Sequence, residues 1–176
     1  MNSLIISALG FDRPGIVSEL TGIITNHGGN IEDSHMTRLG SDFSIIMLVK
    51  VDPEWEESLI VALQAIKELS ITTKATDANI AITAENLQIS LNGADNEGIV
   101  NVLSQYLTEK SMNILDMETH ISHAPITGTP LFNLMAITSI SKDIGVEEIE
   151  SDLTLIGQKL GVEISVNQSK HTIETD

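Results

Sequence analysis

Asp12-Arg13-Pro14-Gly15-Ile16-Val17 returns 83 positions later as Asp95-Asn96-Glu97-Gly98-Ile99-Val100, and the same shift carries Asn30-Ile31 onto Asn113-Ile114. Two matches at one offset, in a chain of 176 residues, mean a duplicated module. Any fold for this chain must therefore be built twice, each time in about half its length. The matched residues fall at turns between strands and helices, where backbone amides are exposed and a small molecule could be held.

In the first copy Leu4-Ile5-Ile6-Ser7-Ala8-Leu9 reads as a strand. Asp12 is placed to cap the following helix, with Pro14 in its first turn, where a missing amide costs nothing. Ile16, Val17, Leu20, Ile23 and Ile24 fall at helical spacing, and Gly28-Gly29 ends the helix. Residues 30–39, the turn Gly40-Ser41-Asp42 and the apolar run 43–51 read as a hairpin. Asp52 as cap and Pro53 at the first position open a second helix, whose apolar face is Trp55, Leu59, Ala62, Leu63 and Ile66. A last strand covers 71–82, with a break or an edge where 74–79 turn polar. The second copy repeats the order. Strand 86–91 leads to a helix marked by Ile99, Val100, Leu103 and Leu107, then a hairpin of 112–124 and 131–140. A helix marked by Val146, Ile149, Leu153, Ile156 and Leu160 follows, ended by Gly161, and 162–166 form the closing strand.

Each copy is thus βαββαβ. Such a unit makes a four-stranded antiparallel sheet with both helices on one face, the ferredoxin-like arrangement of the α+β class. The expected division is 1–83 and 84–168, with 169–176 a polar tail. One sheet face is left partly uncovered. The two modules should cover each other or pair edge to edge, which also leaves room for a homodimer. The copies differ in their hairpins: Phe43 aligns with Phe132 at an offset of 89, so six residues have been added around 123–130. A tolerated loop insertion is the simpler reading, and a lid or partner-specific element the other.

Composition narrows the function. The formal net charge is −16, and both halves share it: 11 acidic against 5 basic residues in 1–83, and 14 against 4 in 84–176. Direct nucleic-acid binding depends on phosphate neutralisation and is disfavoured. Solubility, or docking onto a basic protein, is compatible. There is no cysteine, which excludes disulfides, thiolate metal sites and cysteine nucleophiles and agrees with a cytoplasmic location. The start of the chain shows neither a signal peptide nor a membrane span. Histidines 27, 35, 120, 123 and 171 lack the spacing of a metal site, and none of the familiar hydrolase, phosphate-loop or metalloprotease motifs occurs. Met112, Met117 and Met135 read as core filler. No catalytic residue, metal or cofactor is expected.

The binding candidates are the repeated turns. Gly15 permits close backbone approach, the helix start offers amides to a carboxylate, and Asp12 serves either as cap or as acceptor for a ligand ammonium. Asn30 and Asn113 each begin a strand and could bond backbone or ligand.

Ala8-Leu9-Gly10, Asp12-Arg13-Pro14-Gly15-Ile16-Val17, Asn30-Ile31-Glu32-Asp33-Ser34, Leu39-Gly40 and Phe43 through Met47-Leu48 together resemble an ACT domain. The chain as a whole resembles the glycine cleavage system transcriptional repressor family, two tandem ACT domains and nothing else. The resemblance implies a non-enzymatic regulator that binds an amino acid, with glycine as the suspected signal, and represses through a DNA-binding transcription factor. It also implies the ligand residues: Asp12, Arg13, Pro14, Gly15, Ile16, Asn30 and Ile31. The second copy offers a weaker site at Asp95, Asn96, Gly98, Ile99, Asn113 and Ile114, because Glu97 would repel a ligand carboxylate. The alternatives are a scaffold module without a ligand, or an ACT-type regulatory subunit of an amino-acid metabolic enzyme.

Overall fold

Alternation of buried and unburied residues marks the central strands of both sheets. In the computed structural model, which describes residues 1–77, 85–140 and 144–169, the first strand, β1 (Asn2–Phe11), buries Leu4, Ile6 and Ala8 and turns their neighbours to the other face. The remaining elements of the first module are α1 (Ile16–Asn26), β2 (Asn30–Leu39), β3 (Asp42–Val51), α2 (Pro53–Gln64) and β4 (Leu69–Thr76). The second module has β5 (Glu85–Ala94), α3 (Ile99–Glu109), β6 (Asn113–His123), β7 (Pro130–Ile140), α4 (Val146–Leu160) and β8 (Val162–Ser169). All strand pairs are antiparallel, in the orders β2-β3-β1-β4 and β6-β7-β5-β8. The chain divides into two compact units, Met1–Ile80 and Ala81–Asp176. These are two tandem ferredoxin-like modules.

The cores are aliphatic. In the first, Leu20 and Ile24 of α1 and Leu59 and Leu63 of α2 pack on Ile6, Ile45, Met47 and Val49. Each fully buried side chain of this kind contributes about 1.5–3 kcal/mol. In the second, Leu103, Leu107, Ile149 and Leu153 pack on Leu87, Ile89 and Ala136. Gly10 and Gly93, 83 apart, each pair with the first residue of the module's last strand, Leu69 and Val162. A Cβ on Gly10 would lie 2.5 Å from the Glu68 carbonyl oxygen, and one on Gly93 2.7 Å from the Val162 Cα. The repeat extends to irregularities: both second strands shift register, between Ile31 and Asp33 and between Ile114 and Asp116, again 83 apart.

Several expectations change. Trp55 lies on the rim of α2 and is exposed, touching the His27 ring edge-on at 6.5 Å. Met135 points to the open sheet face, away from the core, because its neighbours Leu134 and Ala136 take the buried side. Val100 is exposed, whereas Tyr106, absent from the expected core, is buried. The first module's last strand begins two residues earlier than expected and runs to Thr76; its expected part in 78–82 lies outside the described residues. Of the expected tail, Ser169 closes β8, and 170–176 lie outside the described residues. The insertion forms a hydrogen-bonded loop between β6 and β7. It is closed by Ala124 N–H to the Thr129 carbonyl and Gly128 N–H to the Ala124 carbonyl, both 2.9 Å.

The helices of the two modules are clasped differently. At the end of α1, His27 Nδ1 lies 2.8 Å from the Ile23 carbonyl oxygen and the ring meets Trp55. At the end of α3, Lys110 pairs with Glu148 and, at 2.9 Å, with Asp152 of α4, while the Tyr106 hydroxyl donates to Asp152 at 3.2 Å. Burial foremost, and then the charge of Asp152, push the Tyr106 hydroxyl up to about 12. Hydrogen bonding to Glu148 raises Lys110, and the bond from Lys110 lowers Asp152.

Candidate functional site

The two repeated turns have one backbone. The chain leaves β1 at Asp12, turns through Pro14-Gly15 and enters α1; it leaves β5 at Asp95, turns through Glu97-Gly98 and enters α3. Gly15 has φ 88° and ψ −4°, Gly98 φ 84° and ψ 3°. Glycine adopts this left-handed geometry without steric cost, so the turn itself requires the shared glycine. The helix begins after the glycine. This corrects the assignment of Asp12 as its cap and of Pro14 to its first turn: among the described residues no side chain caps α1 or α3. Asp12 instead gives its own N–H to the Ser41 carbonyl at 2.9 Å, fixing the turn to the β2–β3 hairpin, and its carboxylate lies 3.7 Å from Arg38.

Arg13 and Asn96 occupy the same position of the repeat and do the same mechanical work. Arg13 pairs with Glu19 of α1 and, at 2.8 Å, with Glu68 between α2 and β4. The Glu19 hydrogen bond, with the Glu68 charge, raises the Arg13 pKa further. Asn96 donates Nδ2 to the Leu160 carbonyl at the end of α4, 2.9 Å. Arg13 ties its turn to the segment between α2 and β4, and Asn96 ties its turn to the end of α4. Arg13's charge is thus matched inside the molecule.

Of the other site candidates, Ile16 and Ile99 bury their side chains in the cores, so only their backbones face the turns. Asn30 donates to Glu32 at 2.6 Å, and Lys50 grips the same carboxylate at 2.9 Å. Those two bonds, Lys50 first, hold the Glu32 carboxyl below its usual range. Ile31 and Ile114 pack against the cores. Asn30 is level with Lys50 and Ser3, at the start of β1, whereas the turn follows Phe11 at its end. Eight residues at about 3.4 Å each put some 27 Å between the two levels. Asn113, level with Ser139 and Asn86, stands in the same relation to Asp95. Within a module the structure therefore brings Asp12 to Ile16 together and leaves Asn30 and Ile31 at the far end.

The second turn lines an open concavity of about 640 Å³, with Asp95, Glu97, Gly98, Asn101, Ser104 and Phe132 around it. Uncapped helix amides favour an anionic group, and the carboxylates of Asp95 and Glu97 favour a cationic one. Glu19, Glu68 and Ser41, which position the first turn, were not expected from the sequence; Glu19 is a local partner six residues from Arg13, whereas no local spacing joins residue 13 to 68 or 12 to 41. Among the described residues there is no group of three or more His, Asp or Glu arranged to hold a metal, and no helix is long and apolar enough to cross a membrane.

Sequence comparison agrees with this duplicated architecture. The ACT domain family matches residues 2–76 and again 85–167. The chain belongs to the ACT domain family. Over 170 residues, 93% of this chain and 88% of the relative, it is 26% identical to the glycine cleavage system transcriptional repressor of Escherichia coli. Over 84 residues, 46% of this chain and 92% of the relative, it is 33% identical to a UPF0237 protein of Methanococcus maripaludis. The crystal structure of an unknown protein from Galdieria sulphuraria superposes with a TM-score of 0.79 and 27% identity, covering 96% of this chain and 98% of that one. These tandem ACT domains support a regulatory role.

Proposed function

We infer that this ACT protein is a non-enzymatic, amino-acid-responsive regulator that works in the cytoplasm through a DNA-binding protein partner, as a negative regulator of glycine cleavage system transcription. The observation that carries this reading is the duplicated glycine turn with its uncapped helix amides, in a chain related over nearly its whole length to a transcriptional repressor. The ligand would be a small amino acid, with glycine the first to test: its carboxylate suits the helix amides and its ammonium suits Asp12 or Asp95. Such a ligand touches only one end of a module, so the assignment centres on Asp12 to Ile16, with Asn30 and Ile31 outside its reach there. The weaker site at Asp95, Asn96, Gly98 and Ile99 has the surrounding concavity in its favour and Glu97 against it. The net charge of −16 suits a basic partner protein and opposes DNA.

Thermal unfolding of the chain with glycine and a panel of amino acids tests the ligand. At 100-fold its dissociation constant a true ligand adds about 2.7 kcal/mol, a readily measured shift. No stabilisation by any amino acid at millimolar concentration refutes the ligand assignment. Affinity purification from the native host tests the partner: a DNA-binding protein is expected, and a metabolic enzyme in its place refutes the transcriptional role.

A further inference from the structure

The outward face of the second module's sheet holds a shallow polar hollow. Register sets His120, Asn133, Asn92 and Glu163 in one row across β6, β7, β5 and β8. The next outward row is Glu118, Met135, Ser90 and Ser165. These two rows line a hollow of about 490 Å³, with the short Ser90 and Ser165 in its floor. A chain of hydrogen bonds fixes the first row: Asn92 Nδ2 donates to Asn133 Oδ1, and Asn133 Nδ2 donates to the Ser122 hydroxyl at 2.8 Å. The donor end of Asn92 is thereby used, and its carbonyl oxygen is left as an acceptor. Glu118 and Glu163 stand exposed at opposite ends, on β6 and β8. Neither carboxylate has an ion-pair partner among the described residues. No lysine or arginine occurs in any of the four strands.

The fold does not require this arrangement. The first module builds the same two rows from Thr37, Ser44, Leu9 and Ser70 and from His35, Ile46, Ser7 and Thr72, with no carboxylate in either. Its strands also carry Arg38, Lys50 and Lys74, and Lys50 neutralises Glu32. Solubility is served by charges of both signs interspersed, as on that face. The second face has one sign only, joined to acceptors.

We propose that this face docks an arginine-bearing segment of a basic protein, with guanidinium groups at Glu118 and Glu163 and the segment lying across the hollow between them. Charge complementarity selects the occupant, since the face offers acceptors and negative charge and holds no cation. A guanidinium carries donors in a planar fork and no acceptor, so it matches carboxylates flanked by hydroxyl and amide oxygens. β6 and β8 lie three strand spacings apart, about 14 Å, and residues four apart in an extended segment are separated by about the same distance. Two arginines at that spacing meet both carboxylates at once, their long side chains covering the offset of one row. The contact is small, so it is weak and transient by itself, and its charge speeds the encounter. The proposal rests on the reading of a basic partner protein and assigns that partner a surface.

The probe is a capped pentapeptide with arginine at each end and serine and glycine between, titrated into the full chain. The side-chain amide resonances of Asn92 and Asn133 shift at low millimolar peptide, and the affinity falls as salt rises. Glu118→Gln with Glu163→Gln weakens binding by about fivefold. Glu147→Gln with Glu150→Gln removes the same charge from exposed positions of α4, on the helix side of the sheet, and weakens it by less than about twofold. Argininamide, which reaches one carboxylate at a time, binds at least about fivefold more weakly than the peptide. Equal losses from the two double variants, argininamide binding as tightly as the peptide, or no shift at about 10 mM peptide each overturn the proposal. A native partner captured as well by the Glu118 and Glu163 double variant as by the parent also overturns it, and leaves the protein-partner reading standing. A metabolic enzyme captured through these two carboxylates supports the docking face and refutes the transcriptional role.

Discussion

Gly15→Ala isolates the conformational demand of the repeated turn. Gly15 lies at φ 88°, and a Cβ added there would meet nothing within 4 Å, so collision contributes no cost. What remains is the backbone: a non-glycine residue in the left-handed region costs about 1–2 kcal/mol. Alanine also narrows the unfolded ensemble, which offsets about 0.4–1 kcal/mol of that. Taking the middle of each range, the difference is a net loss of about 0.8 kcal/mol in the first module. For a domain of this size that lowers the melting midpoint by about 2–8 °C. Asparagine tolerates the left-handed region, so Gly15→Asn should lose less than Gly15→Ala. Gly98, at φ 84° and equally open, provides the matched experiment in the second module. Urea and thermal unfolding followed by circular dichroism read all of these. An alanine variant as stable as the parent, or an asparagine variant worse than alanine, refutes the claim that backbone conformation dictates the glycine.

Gly10→Ala meets the opposite situation: its Cβ would press on the Glu68 carbonyl and on Leu69 Cδ2 at 2.6 Å, so urea unfolding should show a loss of about 1–3 kcal/mol. Asp12→Ala removes no capping bond, so its stability should stay within about 0.5 kcal/mol of the parent while the amino-acid response in thermal-shift titration is lost. Tyr106 is the single tyrosine, so the ultraviolet absorbance of tyrosinate reports it alone, and its midpoint should fall near 12 rather than 10. The folded state then holds the phenolic proton longer than the unfolded one. Stability from this group is complete below about pH 10 and is lost as pH rises toward about 12. Tyr106→Phe should remove that slope from urea titrations across the same range.

The parts of the fold that follow from spacing were legible. Ile16, Leu20 and Ile24 recur at helical intervals and are the buried face of α1, and the limits of β2 coincide with the flanking glycines. The illegible parts depend on partners distant in sequence. Asp12 followed by Pro14 reads as a capped helix, yet the positive φ of Gly15 delays the helix and frees Asp12 for Ser41. Trp55 fits the apolar spacing of α2, but it sits one turn before the buried Leu59 and stays about half exposed, with its ring edge-on to His27. Tyr106 hides its ring in the core and its hydroxyl on Asp152, a pairing that no local pattern announces. The separation of Asn30 from Asp12, by contrast, was within reach: a strand, a helix and a second strand parallel to the first must place the start of the second strand beside the start of the first.

Arg13 and Asn96 secure equivalent turns with different chemistry. The bond from Arg13 to Glu68 is an exposed charge pair, and dissolved ions weaken such pairs. The bond from Asn96 to the Leu160 carbonyl involves no net charge and is nearly indifferent to ions. One duplicated motif therefore supplies a latch that loosens with ionic strength beside a latch that does not. Salt that leaves the second latch fixed weakens the first, giving two descendants of one ancestral module separate sensitivities to ionic strength.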